Sequence, residues 1–101
     1  MGDATAARER FFMAIELDDE YVEARANLGC VLMELGDLDL AIAAFHGALQ
    51  RHPDFADAHY HLAHALDAQG DSEAAATHWQ SFLRLAPDSP WAEEAVERLK
   101  Q

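Results

Sequence analysis

The most constraining feature of this chain is that its sequence repeats with a period of 34 residues. The pairs that match one period apart are Leu28 and Leu62, Leu32 and Leu66, Gly36-Asp37 and Gly70-Asp71, Ala41 and Ala75, Phe45 and Trp79, Leu49 and Leu83, and Pro53-Asp54 and Pro87-Asp88. Part of the same pattern also matches residues 2–21. A fixed period of this size is typical of arrays in which each unit packs against its neighbours. The period therefore predicts a repeat array.

Within each period the apolar residues follow the spacing of a helix face. They recur at steps of three and four, as expected for one side of an α-helix. In the first full period they are Ala24, Leu28, Val31, Leu32 and Leu35 in one segment and Leu38, Ala41, Ile42, Phe45, Ala48 and Leu49 in the next. This spacing predicts two helices per period.

The predicted helix ends carry the same residue types in both periods. Gly36 and Gly70 can adopt the left-handed conformation that ends a helix, and Asp37 and Asp71 can cap the next helix. Further helix stops and starts are predicted at Pro53, Asp54 and Pro87, and at Ser89 followed by Pro90. Together these signals predict six helices and no strands.

At this point the pattern resembles a known family. Residues 22–55 and 56–89 resemble two tetratricopeptide repeats. The positions that carry the resemblance are Leu28, Gly29, Leu32, Ala41, Phe45, Ala48 and Pro53 in the first copy, and Leu62, Ala63, Leu66, Ala75, Trp79, Phe82 and Pro87 in the second. The usual tryptophan near the start of the repeat is replaced by Arg25 and His59, and Phe82 stands where a small residue is typical. These departures predict locally altered packing.

The resemblance implies a single all-helical domain over residues 1–101. Residues 2–21 resemble the second helix of a preceding repeat, and residues 90–101 resemble a capping helix. The implied architecture is a right-handed superhelical solenoid of antiparallel helix pairs, with about six helices.

Composition narrows the class of partner. Seven basic and nineteen acidic residues give a formal charge of −12. Because phosphate binding requires a cationic surface, we expect this domain to bind neither nucleic acid nor a membrane. The single cysteine, Cys30, cannot form an intramolecular disulfide, and no apolar run approaches the ~20 residues that span a bilayer. With no secretory signal in the first residues, we expect a cytoplasmic protein.

The resemblance also implies a concave groove lined by the first helix of each pair and by the last helix. The groove positions it assigns are Glu23, Asn27, Cys30, Met33, Glu34, Asp57, Tyr60, His61, His64, Asp67, Trp91, Glu94 and Arg98. Acidic side chains there surround aromatic and imidazole rings, a pattern that suits a Lys- or Arg-containing segment with an apolar anchor. Family members that grip a C-terminal carboxylate do so with lysine, arginine and asparagine in the groove, and only Asn27 matches one of those positions. We therefore predict a non-catalytic module, without cofactor, that binds a cationic peptide or protein segment.

Three histidines within six positions raise the alternative of a metal site. Ligands must converge to within ~2.1 Å of one point. His61 and His64 share the groove face and Cys30 could add a third ligand, whereas His59 occupies a helix-packing position. We interpret His61 and His64 as contacts for a partner or water, and we predict no metal site and no catalytic thiol. The other histidines, His46, His52 and His78, are interpreted as scattered surface residues.

Two structural roles remain as alternatives. The apolar residues of the first predicted helix, Phe11, Phe12, Ile15 and Leu17, lack a preceding helix to cover them. They could form a self-association edge that makes a homodimer. Alternatively, the chain could be a C-terminal scaffold module of a larger bacterial protein.

Overall fold

The computed structural model describes residues 22–100, which form five α-helices and no strands. The helices are α1 (Val22–Glu34), α2 (Leu38–Arg51), α3 (Ala56–Ala68), α4 (Ser72–Leu85) and α5 (Ala92–Leu99). Each helix packs on the next, and α1 also contacts α3. The architecture is therefore two helical hairpins followed by a single terminal helix. The additional helix predicted within residues 2–21, with its edge Phe11, Phe12, Ile15 and Leu17, lies outside the described residues.

The two hairpin turns are built alike, as the sequence predicts. Gly36 and Gly70 have φ values of 82° and 89°, in the left-handed region that favours glycine. The carboxylate of Asp37 accepts a hydrogen bond from the Leu40 amide at 3.4 Å. Asp71 caps α4 in the same way. The predicted turn glycines and N-caps are confirmed.

Two other predicted helix starts are wrong. Phe55, not Asp54, is the N-cap of α3, because residues 52–55 form a turn in which the Phe55 amide donates to the His52 carbonyl. The last helix begins at Ala92 rather than at Pro90, with Trp91 as its N-cap. The Ser89 hydroxyl does act locally, since it accepts a hydrogen bond from the Trp91 amide at 3.1 Å.

Each hairpin has a fully buried aromatic ring at the same repeat position, and the second hairpin also buries Phe82. Phe45 in α2 and Trp79 in α4 are 0% and 1% exposed. Phe45 lies directly over Gly29, where an added Cβ would sit 2.5 Å from the ring. The second hairpin has Ala63 at the equivalent position. The first hairpin therefore depends on the absence of a side chain at residue 29.

No helix within residues 22–100 is both long and apolar enough to cross a membrane.

Candidate functional site

A pocket opens between the first helices of the two hairpins, where α1 contacts α3. Its volume is about 320 Å³. We call it the acidic pocket, and its lining residues are Glu23, Ala26, Asn27, Cys30, Phe55, Asp57 and His61. Five of the predicted groove residues thus lie together in one cavity.

Phe55 is the pocket residue that the sequence analysis missed. It precedes α3, and its side chain is partly buried against the core. The repeat register assigns groove positions only within helices, so it does not include a residue of the connecting turn such as Phe55. The signal in the sequence is that Phe55 is the large apolar side chain between Pro53 and the start of α3.

The charge of the acidic pocket is negative. Glu23 and Asp57 are exposed, and the lining includes no lysine or arginine. Burial lowers the pKa of His61, although the nearby Asp57 carboxylate partly opposes this. Burial raises the pKa of the Cys30 thiol, and the negative charges of Glu34 and Asp57 raise it further. At neutral pH the pocket therefore presents two carboxylates beside a neutral imidazole and a neutral thiol.

Further along the groove, α3 and α5 are joined by a polar and aromatic group of side chains. We call it the C-terminal cluster, and its members are Tyr60, His64, Asp67, Trp79, Trp91, Glu94 and Arg98. The Tyr60 hydroxyl donates to Glu94 Oε1 at 2.6 Å, and His64 Nε2 lies 2.9 Å from Glu94 Oε2. The Tyr60 ring stacks on Trp91 with ring centroids 4.4 Å apart. Glu94 thus connects the last helix to two positions of α3.

Asp67 makes a second set of links within the C-terminal cluster. It accepts a hydrogen bond from Trp79 Nε1 at 3.0 Å. It also forms an ion pair with Arg98, whose Nη1 donates to it at 3.4 Å. Arg98 also lies 3.8 Å from Glu94 and 5.8 Å from the centre of the Trp79 ring. Both carboxylates and the guanidinium of this cluster are therefore already engaged within the chain.

The pKa values of two members of the C-terminal cluster, Tyr60 and His64, are shifted. Burial and the hydrogen bond to Glu94 raise the pKa of Tyr60 to about 12, so the phenol remains protonated as a donor. Burial lowers the pKa of His64 despite the neighbouring Glu94 carboxylate. Glu94 of α5 acts on both groups, since it adds to the rise at Tyr60 and partly opposes the lowering at His64.

Two remaining predicted groove residues lie outside both groups. Met33 is partly buried against the core, and Glu34 is exposed at the end of α1. Neither lines the acidic pocket.

The structure agrees with the sequence interpretation for His59, which is buried, and differs from it for His78. His59 is 8% exposed, with Nδ1 2.9 Å from His78 Nδ1 and Nε2 2.8 Å from the Pro53 carbonyl oxygen. The interpretation of His78 as a scattered surface residue is wrong, because its ring is partly buried and packs between His59 and His46. Within residues 22–100, no three His, Cys, Asp or Glu side chains are grouped so as to hold a metal ion.

Solved structures with the same architecture are numerous. The first tetratricopeptide domain of Spaghetti (RPAP3), bound to the HSP90 peptide SRMEEVD, superposes with a TM-score of 0.90 at 18% identity, over 98% of this chain and 78% of that one. The Yersinia enterocolitica type III secretion translocator chaperone SycD gives 0.91 at 19% identity, over 98% and 71%. PcrH, in complex with the chaperone-binding region of PopD, gives 0.90 at 21%, over 98% and 77%. These similarities confirm the predicted all-helical solenoid.

Sequence comparison identifies the family. No curated protein sequence matches the chain significantly. The sequence profile described as tetratricopeptide repeat, however, matches residues 26–90, which is more than half of the chain. The repeated turns and the aromatic packing at Phe45 and Trp79 fall within that range. This chain therefore belongs to the tetratricopeptide repeat family.

Proposed function

We propose that this domain is a non-catalytic interaction module that binds a Lys- or Arg-containing segment of another protein in the acidic pocket. The observation that carries this proposal is the contrast in charge pairing along the groove. Glu23 and Asp57 are exposed around an open cavity, whereas Asp67, Glu94 and Arg98 engage one another and their neighbours. An incoming cation gains most from the exposed carboxylates of the pocket.

Structures with this fold support binding of a peptide. The Spaghetti domain was solved with an HSP90 peptide, and PcrH was solved with a region of PopD. The peptide SRMEEVD is rich in acidic residues. Two carboxylates and no lysine or arginine line the pocket of the present chain, so we expect it to disfavour such a peptide. The proposed partner is therefore of opposite charge.

The shape of the pocket suits a long cationic side chain. The aliphatic stem of a lysine or arginine can lie against Ala26 and Phe55, while its charged end approaches Glu23 or Asp57. A guanidinium can also interact with the face of the Phe55 ring. Asn27 offers both a donor and an acceptor to the backbone of the bound segment.

The ionisation of Cys30 supports a binding role rather than a catalytic one. A cysteine nucleophile acts as the thiolate, which requires a lowered pKa or an adjacent base. Here burial and two neighbouring carboxylates raise the pKa of the thiol. The histidine in the pocket lining, His61, has its own pKa lowered by burial and is a weak base.

Peptide display followed by affinity measurement would test the proposed function. We would select random peptides on the full 101-residue chain and measure the Kd of an enriched peptide by fluorescence anisotropy. We expect enrichment of Lys or Arg together with an apolar residue. Asp57→Asn should raise the Kd about 3- to 10-fold, and the effect should shrink with added salt.

Asp88→Asn provides the matched control, because it removes an exposed carboxylate from the loop before α5. It should leave the Kd within about 2-fold of the unsubstituted chain, as expected for a distant surface charge. Selection of acid-rich peptides, or equal effects of Asp57→Asn and Asp88→Asn, would overturn the proposed function.

A further inference from the structure

Three histidines from three different helices meet where the two hairpins pack together. We call His46 of α2, His59 of α3 and His78 of α4 the histidine cluster. The rings of His59 and His78 have centroids 5.2 Å apart, and those of His46 and His78 are 5.9 Å apart in an edge-on arrangement. His46 belongs to the first repeat and the other two to the second. The cluster therefore lies across the junction between repeats.

The hydrogen bonds of His59 determine where the protons lie. The Pro53 carbonyl oxygen can only accept, so His59 Nε2 carries a hydrogen and donates it. In neutral His59 the Nδ1 atom is then unprotonated, and it accepts a hydrogen bond from His78 Nδ1–H at 2.9 Å. Both contacts are satisfied while the two imidazoles are neutral. If both imidazoles were protonated, two N–H groups and two like charges would face each other across this 2.9 Å contact, and it would break.

The surroundings of His78 oppose its protonation. Burial, together with the charges of His59 from α3 and His46 from α2, lowers its pKa to about 4. Within residues 22–100, the groups that shift this pKa include no carboxylate. The charged side chains of α5 that contact the hairpins, Glu94 and Arg98, face His64, Asp67 and Trp79 instead.

We propose that the histidine cluster is a proton-sensitive contact between the two repeats, which joins α2, α3 and α4 while its imidazoles are neutral and weakens on acidification. The bond to Pro53 anchors the turn between the hairpins to α3. The acidic pocket is lined by α1 and α3, which belong to different repeats. Weakening this junction therefore also loosens the walls of the pocket, whatever the pocket binds.

The direction of the pH effect follows from the proton balance. The folded-state pKa of His78, about 4, lies below the ordinary value of 6.5. Between these values the unfolded chain binds more protons than the folded chain. The stability contributed by neutral His78 is therefore fully present above pH 6.5 and is lost as the pH falls toward 4.

Thermal unfolding of the full chain tests this contact. We would compare the unsubstituted protein with His78→Gln, using His52→Gln as the control because His52 is exposed and lies outside the cluster. Between pH ~7.5 and ~5, we expect the Tm of the unsubstituted protein to fall about 5 °C more than that of His78→Gln. His52→Gln should follow the unsubstituted protein. His61 and His64 titrate in all three proteins, so their contributions cancel in the comparison. Equal decreases in Tm for His78→Gln and the unsubstituted protein would overturn the proposal.

Nuclear magnetic resonance of the unsubstituted chain provides a second test that requires no variant to fold. Imidazole nitrogen shifts report both the tautomer and the protonation of each histidine. We expect the Nε2–H form of His59, the Nδ1–H form of His78, and a His78 ring that stays neutral below the ordinary histidine pKa of 6.5. The proposal fails if His78 titrates at its ordinary pKa of 6.5 or above, or if the two tautomers are reversed.

Discussion

The two repeats share one backbone plan but use their groove faces differently. Each has a left-handed glycine, an aspartate N-cap and a buried aromatic ring at the same position. The groove side chains of α1 border the open acidic pocket together with Asp57 and His61 of α3, whereas Tyr60 and His64 of α3 are joined to α5 through Glu94. The difference shows that a helix packed at the end of the array changes what the neighbouring groove side chains contact. Those beside α5 bond to it, while Glu23 and Asp57 remain exposed.

The largest expected effect comes from exchanging the small residues under the aromatic rings. Gly29→Ala should destabilise the fold by about 2 kcal/mol, because the added Cβ meets the fully buried Phe45 ring and this outweighs the gain in helix propensity. Its counterpart Ala63→Gly should cost only about 1 kcal/mol. Urea unfolding followed by circular dichroism measures both. If Gly29→Ala left the free energy of unfolding unchanged or raised it, the two hairpins would pack more alike than the structure indicates.

A smaller effect is expected from Tyr60→Phe in the second repeat. Loss of the hydroxyl removes the 2.6 Å hydrogen bond to Glu94, which still contacts His64 and Arg98. Stability should fall by about 1 kcal/mol, and binding in the acidic pocket should be unchanged. If Tyr60→Phe instead weakens peptide binding without affecting stability, the C-terminal cluster is part of the binding surface.

The Tyr60 hydroxyl also provides a pH readout of the contact with α5. Spectrophotometric titration of the tyrosines should show one ionisation near pH 12, assigned by its absence in Tyr60→Phe. Because the folded-state pKa lies above the ordinary value of 10, this contribution to stability is present below pH 10 and is lost as the pH rises toward 12. Glu94→Gln should move the ionisation back toward 10. An unchanged titration in Glu94→Gln would mean that Glu94 does not hold Tyr60 in solution.

The smallest effect on stability is expected within the acidic pocket. Asp57 is exposed in the first turn of α3, where a carboxylate favours the helix dipole. Asp57→Asn should therefore lower the free energy of unfolding by about 0.5 kcal/mol or less. Urea unfolding of this variant separates its effect on binding from any effect on folding. A loss well above that value would place Asp57 among the structural residues.

Local features of the fold could be predicted from the sequence. The turns at Gly36 and Gly70 and the caps at Asp37 and Asp71 follow from neighbouring residues alone, and the structure confirms them. The start of α3 was misplaced because a turn ends at Phe55 and delays the helix, which the Pro53-Asp54 signal does not reveal.

The division of the groove into an open and a satisfied part could not be predicted. The repeat register shows which positions face inward, and it brings Glu23, Asn27 and Asp57 to one pocket. It does not show which of them find partners within the chain. The bonds Tyr60–Glu94 and Asp67–Arg98 join residues more than 30 positions apart, and their formation depends on how α5 packs. The contact of His59 with His78 was missed for the same reason.

The most direct test of the central claim is to map a small cation on the full chain by amide chemical shifts. We would titrate ¹⁵N-labelled protein with N-acetyl-arginine amide, using N-acetyl-glutamate amide as the anionic control. The shifts should be confined to the neighbourhood of Glu23, Asn27 and Asp57, and the control should produce none there. Shifts centred on Tyr60 and Glu94, or equal responses to the two probes, would contradict the assignment of the acidic pocket as the open binding site.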